Sequence, residues 1–471
     1  MNLTGILGRM SFDKRGRRPA RSLVALVAMT LLANLLVLVH GSAAQAAAPK
    51  LMVVGDSISQ GIEGDYTWRY RLATHLSGTG ADFVGPWTGT TKVPAEFDGG
   101  GSHTGAYRPG ISFDSANLAQ WGWQMHQAKD VVGGHVSTYQ PDYLLVELGF
   151  NDLGWGVNEP AGLLNDFEWF VYHARAAKPD VRILVANVLH RTPLEVHPDL
   201  PQKITNYNAM LAARVPQLSS DISPIRVVDI DSPFDENRDA YDGLHPNIRG
   251  EYVIANAFAA TLNSSFGLGG APAPIPTSLP APLKPGAPTS ITAVPVGDKI
   301  KVSWSHVFGA TDYEFWQRDA TAGAPFTKGI YNIGADSWTA DLLPAGHTMQ
   351  FYVRTRRGDS HTSGASATAT ATVRALTAPR FWVTTNPAEP YTVTVHWDAV
   401  AGADDYNVYG ASGCGSVPPA ISSYTLQQFM LGGKTSWTQE FIFEPCKNYF
   451  VTASRYGGET PKPAAGVRAW L

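Results

Sequence analysis

Leu51-Met52-Val53-Val54-Gly55-Asp56-Ser57 is a short apolar run that stops in a tight Gly-Asp-Ser turn. A continuous apolar run of this length, bounded by turn residues, is what a strand buried on both faces requires. Three more runs of the same kind follow, at Tyr143–Leu148, Arg182–Val188 and Ile225–Ile230. Between them Leu163, Phe167, Phe170, Val171 and Ala174 recur at helical spacing, and Asn206–Val215 and Tyr252–Leu262 also read as helical. Strand and helix alternating over about 220 residues predict a parallel three-layer α/β sheet. In such sheets function gathers at the carboxyl ends of the strands.

Beyond this region the texture changes. Residues 266–288 are rich in Pro, Ala and Gly, a composition that forms neither helix nor ladder, so an extended linker is expected. Residues 289–375 and 376–471 follow, rich in Thr, Val, Tyr and Trp in short alternating runs. They repeat a pattern: Lys301-Val302-Ser303-Trp304 matches Thr394-Val395-His396-Trp397, and Thr311–Phe315 matches Asp404–Val408. Each half has the size of a small β-sandwich. Both resemble fibronectin type III domains, in which a corner Tyr anchors the late turn; Tyr449 fits that position, and Met349 occupies it in the first repeat.

At 471 residues, with 44% hydrophobic and 16% charged, the chain has ample apolar content for several packed domains. The net charge of −4 is unevenly spread: residues 1–46 carry +5 and the remainder −9. An acidic remainder argues against nucleic acid and anionic membrane surfaces as partners. The basic cluster Lys14–Arg21, the apolar run Ser22–Val39 and the small residues to Ala44-Gln45-Ala46 read as a signal peptide over 1–46, so a secreted monomer is expected. An uncleaved membrane anchor is the alternative reading of the same run. Cys414 and Cys446 are the two cysteines; in an exported protein they are expected to form a disulfide, with two buried free thiols as the alternative.

The candidate chemistry lies upstream of the linker. Gly55-Asp56-Ser57 offers a hydroxyl at a strand end, although the same tripeptide also serves as an ordinary turn or helix cap. Asp242-Gly243-Leu244-His245-Pro246 puts a base and an acid within one turn of each other. Gly149-Phe150-Asn151-Asp152 places a side-chain amide after the strand Tyr143–Leu148, where it can donate to an oxyanion. Gly110, after Pro109, would let a backbone N–H come close to the same oxygen. His103, His126, His135, His190 and His197 show no metal-ligand spacing, so no metal is expected.

Taken in order, these four pieces resemble the GDSL/SGNH hydrolases over roughly residues 50–265. The resemblance implies a flavodoxin-like α/β/α domain over 49–265 that cleaves carboxylic esters through an acyl-enzyme, with no cofactor. It makes Ser57 the nucleophile, His245 the general base and acid, and Asp242 its orienting carboxylate. The Ser57 and Gly110 N–H groups and the Asn151 amide would form the oxyanion hole.

Asp82-Phe83-Val84-Gly85 and Ser102-His103-Thr104-Gly105 loosely resemble the branch that deacetylates xylan, so an acetylated polysaccharide is the expected substrate class. Tyr66, Trp68, Tyr107, Trp121, Trp123 and Trp155 are candidate sugar-stacking faces, against core packing as the alternative for each. A lipase with the same triad and a non-catalytic glycan-binding or adhesion protein are the rival classes. Because every motif precedes the linker, the repeats are expected to be spacers or to bind polymer or cell surface. Removing residues 284–471 should then leave small-ester turnover unchanged.

Overall fold

The computed structural model describes residues 48–92, 102–388 and 391–471; the signal-like segment lies outside the described residues. The first sheet contains β1 (Lys50–Gly55), β2 (Asp82–Phe83), β3 (Leu118–Ala119), β4 (Tyr143–Glu147), β5 (Arg182–Ala186) and β6 (Ile225–Val228). All pairings are parallel, in the order β2-β1-β4-β5-β6, with β3 beside the end of β1. The register sets Leu51 against Tyr143 and Gly55 against Glu147, so the Gly-Asp-Ser turn and the Gly-Phe-Asn-Asp turn leave the sheet side by side.

Seven α-helices accompany this sheet among the described residues: α1 (Ser57–Gln60), α2 (Trp68–Leu76), α3 (Met125–Tyr139), α4 (Phe150–Gly154), α5 (Pro160–Ala177), α6 (Leu200–Leu218) and α7 (Ile248–Phe266). Helix α3 packs along α5 and α5 along α6, while α2 packs against α7. The predicted three-layer α/β/α architecture is therefore the observed one. Leu51–Val54, Leu144–Val146 and Ile183–Val185 are fully buried, which explains why these strands read as unbroken apolar runs. Trp68 is also core: its indole stacks on Phe258 at 4.7 Å.

Helix α7 starts immediately after the His245 loop. Asn247 caps it, its side chain accepting from the Arg249 and Gly250 N–H groups. The same amide donates to Arg238 O and Ala240 O, and Arg238 and Arg249 both pair with the fully buried Asp239 carboxylate. The 238–247 loop is thus clamped at both ends.

The two C-terminal domains are antiparallel sandwiches, as expected. The first sets β7 (Ile291–Val296), β8 (Lys299–Trp304) and β11 (Ser337–Ala340) against a second sheet. That sheet contains β9 (Asp312–Asp319), β10 (Thr327–Ile333), β12 (Thr348–Arg357), β13 (His361–Thr362) and β14 (Ala369–Thr372). The repeat seen in the sequence is also a repeat of contacts: Val307 N–H donates to Tyr313 Oη at 3.1 Å, and Val400 N–H to Tyr406 Oη at 2.6 Å. Tyr449 is buried, but its hydroxyl donates to the Gln439 side chain at 2.7 Å rather than to backbone. Cys414 and Cys446 are disulfide-bonded, with Cα atoms 5.6 Å apart. Closing a loop of this length stabilises the last domain by about 3–4 kcal/mol in the chain-entropy account.

Beyond Phe266, where α7 ends, the linker has no helix or strand, as its composition dictates, yet it is docked. Arg108 donates to Ala281 O at 2.9 Å, and Leu283 fills the space where a Cβ on Gly64 or Gly309 would stand. A cavity of about 440 Å³ opens where the linker, the α/β domain and the first sandwich meet, lined among others by Asp65, Arg108, Tyr241, Arg249 and Arg357.

Candidate active site

Strand β1 delivers Ser57 as the first residue of α1. Asp56 caps that helix, its Oδ1 accepting from Ile58 N–H at 2.9 Å. Position 55 must be glycine, because a Cβ there would stand 2.3 Å from Ser59 Oγ and 3.1 Å from Glu147 O. The turn is therefore held hard against the neighbouring strand.

His245 reaches this turn from a loop 188 residues further along the chain: its Nε2 lies 2.9 Å from Ser57 Oγ. Its Nδ1 lies 2.6 Å from Asp242 Oδ2, and Asp242 Oδ1 accepts from the backbone N–H groups of His245 (2.8 Å) and Leu244 (3.1 Å). Burial works against an ionised Asp242, but the His245 charge and these hydrogen bonds outweigh it and hold the carboxyl near pKa 2. For His245, burial pulls downward, while the charge and hydrogen bond of Asp242, aided by Asp56 and Asp65, raise the imidazole above its ordinary value. An imidazole oriented by a carboxylate and bonded to a hydroxyl is the arrangement that turns a serine into a nucleophile.

Asn151 also arrives. Its amide donates to Trp123 O at 2.9 Å and, over a longer 3.2 Å, to Asp56 Oδ2. Both amide hydrogens are thus engaged, the second in the longer contact. Gly110 does not join the cluster: it is exposed, with open space where a Cβ would stand and no hydrogen bond to Ser57. The glycine that does is Gly122. Gln120 N–H donates to Gly55 O at 3.0 Å and Trp121 N–H to Gln60 Oε1 at 2.6 Å, so the 120–123 loop runs along the Ser57 turn. Gly122 has φ +76°, and among the described residues its N–H, like that of Ser57, has no acceptor.

Two of the six candidate stacking aromatics, Trp121 and Trp155, lie at this turn, together with Tyr241, which no sequence motif marks. Trp121, a candidate sugar-stacking face, lies flat against His245, with centroids 4.8 Å apart and planes 14° apart. Tyr241 flanks the same ring at 5.8 Å and 16°. Trp155 is half exposed and passes within 3.0 Å of where a Cβ on Gly122 would stand. Tyr66 instead packs on Arg71, the Tyr107 hydroxyl donates to Thr88 O, and Trp123 is buried. Of the stretch 102–105, Ser102 O accepts from Gln60 Nε2 at 3.0 Å, which brings it beside α1.

Beneath the turn lies a buried pair of carboxyls, Asp56 and Glu147. Burial raises Asp56 to about 7 and, together with the charge of Asp56, lifts Glu147 well above the usual range. Ser59 Oγ donates to Glu147 Oε2 at 2.7 Å. An acid at the end of an otherwise apolar strand, Tyr143-Leu-Leu-Val-Glu147, is the signal that could have found it.

Residues 53–252 match the model of the GDSL-like Lipase/Acylhydrolase family. A multidomain esterase from Ruminococcus flavefaciens is 26% identical over 225 residues, covering 43% of this chain and 27% of that protein. The chain therefore spans about a quarter of the length of that curated relative. A family 3 carbohydrate esterase from Clostridium thermocellum is 27% identical with a TM-score of 0.36, covering 47% of this chain and 100% of its own. A two-domain fibronectin type III segment of chicken tenascin is 14% identical with a TM-score of 0.22, covering 39% of this chain and 98% of its own.

Proposed function

We propose, from the match of residues 53–252 to the GDSL-like Lipase/Acylhydrolase family model, that the protein is a secreted serine esterase that removes acyl groups from a polysaccharide. The observation that carries the reading is the chain of contacts Asp242–His245–Ser57, at 2.6 and 2.9 Å. Ser57 Oγ attacks the ester carbonyl while His245 Nε2 takes its proton. The Ser57 and Gly122 N–H groups and the Asn151 amide receive the oxyanion, with Gly122 taking the place expected for Gly110. His245 then passes the proton to the leaving alcohol, and an acyl-Ser57 intermediate forms. Water, deprotonated by the same nitrogen, releases the acid and restores Ser57.

A sugar ester as substrate is supported by the half-exposed Trp155 ring beside Gly122, and by the esterase identity of the curated relative. Export is supported by the signal-like N-terminus and the disulfide. Comparing p-nitrophenyl acetate with p-nitrophenyl palmitate, and acetylated xylan with its deacetylated form, tests the reading. Acetate turnover and acetate release from xylan are expected, both abolished by Ser57→Ala. Preference for palmitate would replace it with a lipase, and absence of turnover by folded protein would favour a binding protein.

A further inference from the structure

The end of β12 and its connection to β13, Arg357-Gly358-Asp359-Ser360, meet the α/β domain. Arg357 is 6% exposed. Its Nη1 donates to Glu63 O at 2.8 Å and to Gly309 O at 2.9 Å, its Nη2 to the Asp65 carboxylate, and its guanidinium lies over the Tyr241 ring. A guanidinium this far from water stays only where several fixed acceptors hold it. Around it, Glu63 accepts from His306 Nε2 at 2.6 Å and from Gly309 N–H at 3.3 Å.

The next two residues grip Tyr241 through the backbone. Asp359 N–H donates to Tyr241 O at 2.8 Å. Gly358 sits at φ +52°, and a Cβ there would stand 2.4 Å from the same oxygen. Tyr241 in turn donates its N–H to His245 O at 3.0 Å and stacks on the imidazole. A continuous series of contacts thus runs from the sandwich to the base of the triad.

We infer that the first fibronectin-like domain is a working part of the active site, with Arg357 and the Gly358–Asp359 backbone acting as positioning elements that hold the Tyr241–His245 loop so that His245 faces Ser57. The inference rests on the esterase reading above. It reverses the expectation that residues 284–471 are dispensable spacers, and it explains why a charged side chain is buried between two domains joined by a proline-rich segment.

The test uses the full chain with p-nitrophenyl acetate, in wild type, Arg357→Met, Arg357→Lys and Gly358→Ala, with folding checked by circular dichroism and thermal melting. Arg357→Met is expected to lower kcat by roughly 10- to 100-fold with KM within about twofold, since small misplacements of a base cost that much. Arg357→Lys should recover part of the loss. Gly358→Ala should lower kcat comparably with every charge in place, and it decides the matter alone if Arg357→Met does not fold. Folded Arg357→Met or Gly358→Ala with kcat within twofold of wild type overturns the inference, even if the melting temperature falls. Failure of the wild type to turn over ester, or full activity in Ser57→Ala, would instead defeat the esterase reading itself.

Discussion

The imidazole of His245 lies against the indole of Trp121, with their planes within 14° of each other. Hydrogen bonds at Nδ1 and Nε2 fix where the ring edge points, and the indole restricts rotation about that axis. Trp121→Ala should therefore lower kcat on small esters by about tenfold, and Trp121→Phe should keep most of it. Steady-state kinetics on p-nitrophenyl acetate check this; equal kcat for Ala and wild type would show that the stacking is incidental.

The two candidate glycines give opposite expectations. Gly122→Ala places a methyl 3.0 Å from the Trp155 ring at a φ that side chains resist, beside the proposed oxyanion N–H. A fall in kcat of roughly 100-fold is expected, the size of losing one oxyanion donor. Gly110→Ala adds a methyl in open space and should leave kcat within twofold. The reverse ranking of the two variants would return the oxyanion role to Gly110.

A protonated His245 cannot accept the Ser57 proton, so kcat/KM should fall as pH drops through the imidazole pKa. That pKa is raised, and the acidic midpoint should lie above the ordinary 6.5. Asp242→Asn removes the charge responsible and leaves burial, which acts downward. The midpoint should move to lower pH and the plateau should fall by roughly 10³- to 10⁴-fold. A pH–rate profile of the variant with an unmoved midpoint would exclude Asp242 as the partner that raises it.

Glu147 offers a stability prediction with a defined sign. Its folded pKa is raised above the unfolded value of 4.5, so its ionisation opposes folding increasingly as pH climbs past 4.5 toward the folded pKa. Glu147→Gln keeps an oxygen acceptor for Ser59 Oγ and removes that penalty. Its melting temperature should exceed that of wild type at pH 8 by clearly more than at pH 5. An equal shift at both values would mean that the carboxyl stays ionised in the fold.

The elements legible in the sequence were those whose signal is local. Leu51–Val54 and Tyr143–Leu148 read as strands because burial on both faces leaves an unbroken apolar run. The Ser57, Asn151 and Asp242/His245 turns stood out because each follows a strand or precedes a helix. Helix α3 was not seen: Met125, Ala128, Val132 and Val136 keep helical spacing, but Gly133-Gly134 interrupt the pattern. Helix α2 buries Arg69 and Arg71 on its inner face, which inverts the usual polarity signal. Gly122 was passed over because a backbone N–H leaves no mark in composition. Arg357 and Asp65, 292 residues apart, have no sequence pattern to join them.

For anyone recombining such modules, the grip of Gly358 and Asp359 on Tyr241 moves the place to cut. A gene boundary drawn at residue 266, where the proline-rich stretch begins, would separate Tyr241 from the backbone that holds it. Transplanting the α/β domain behind another module would then expose Asp65, Glu63 and one side of the loop that carries His245. On the proposed role of the first sandwich, the smallest portable piece would end near residue 375, and a graft that keeps it should carry its chemistry along intact.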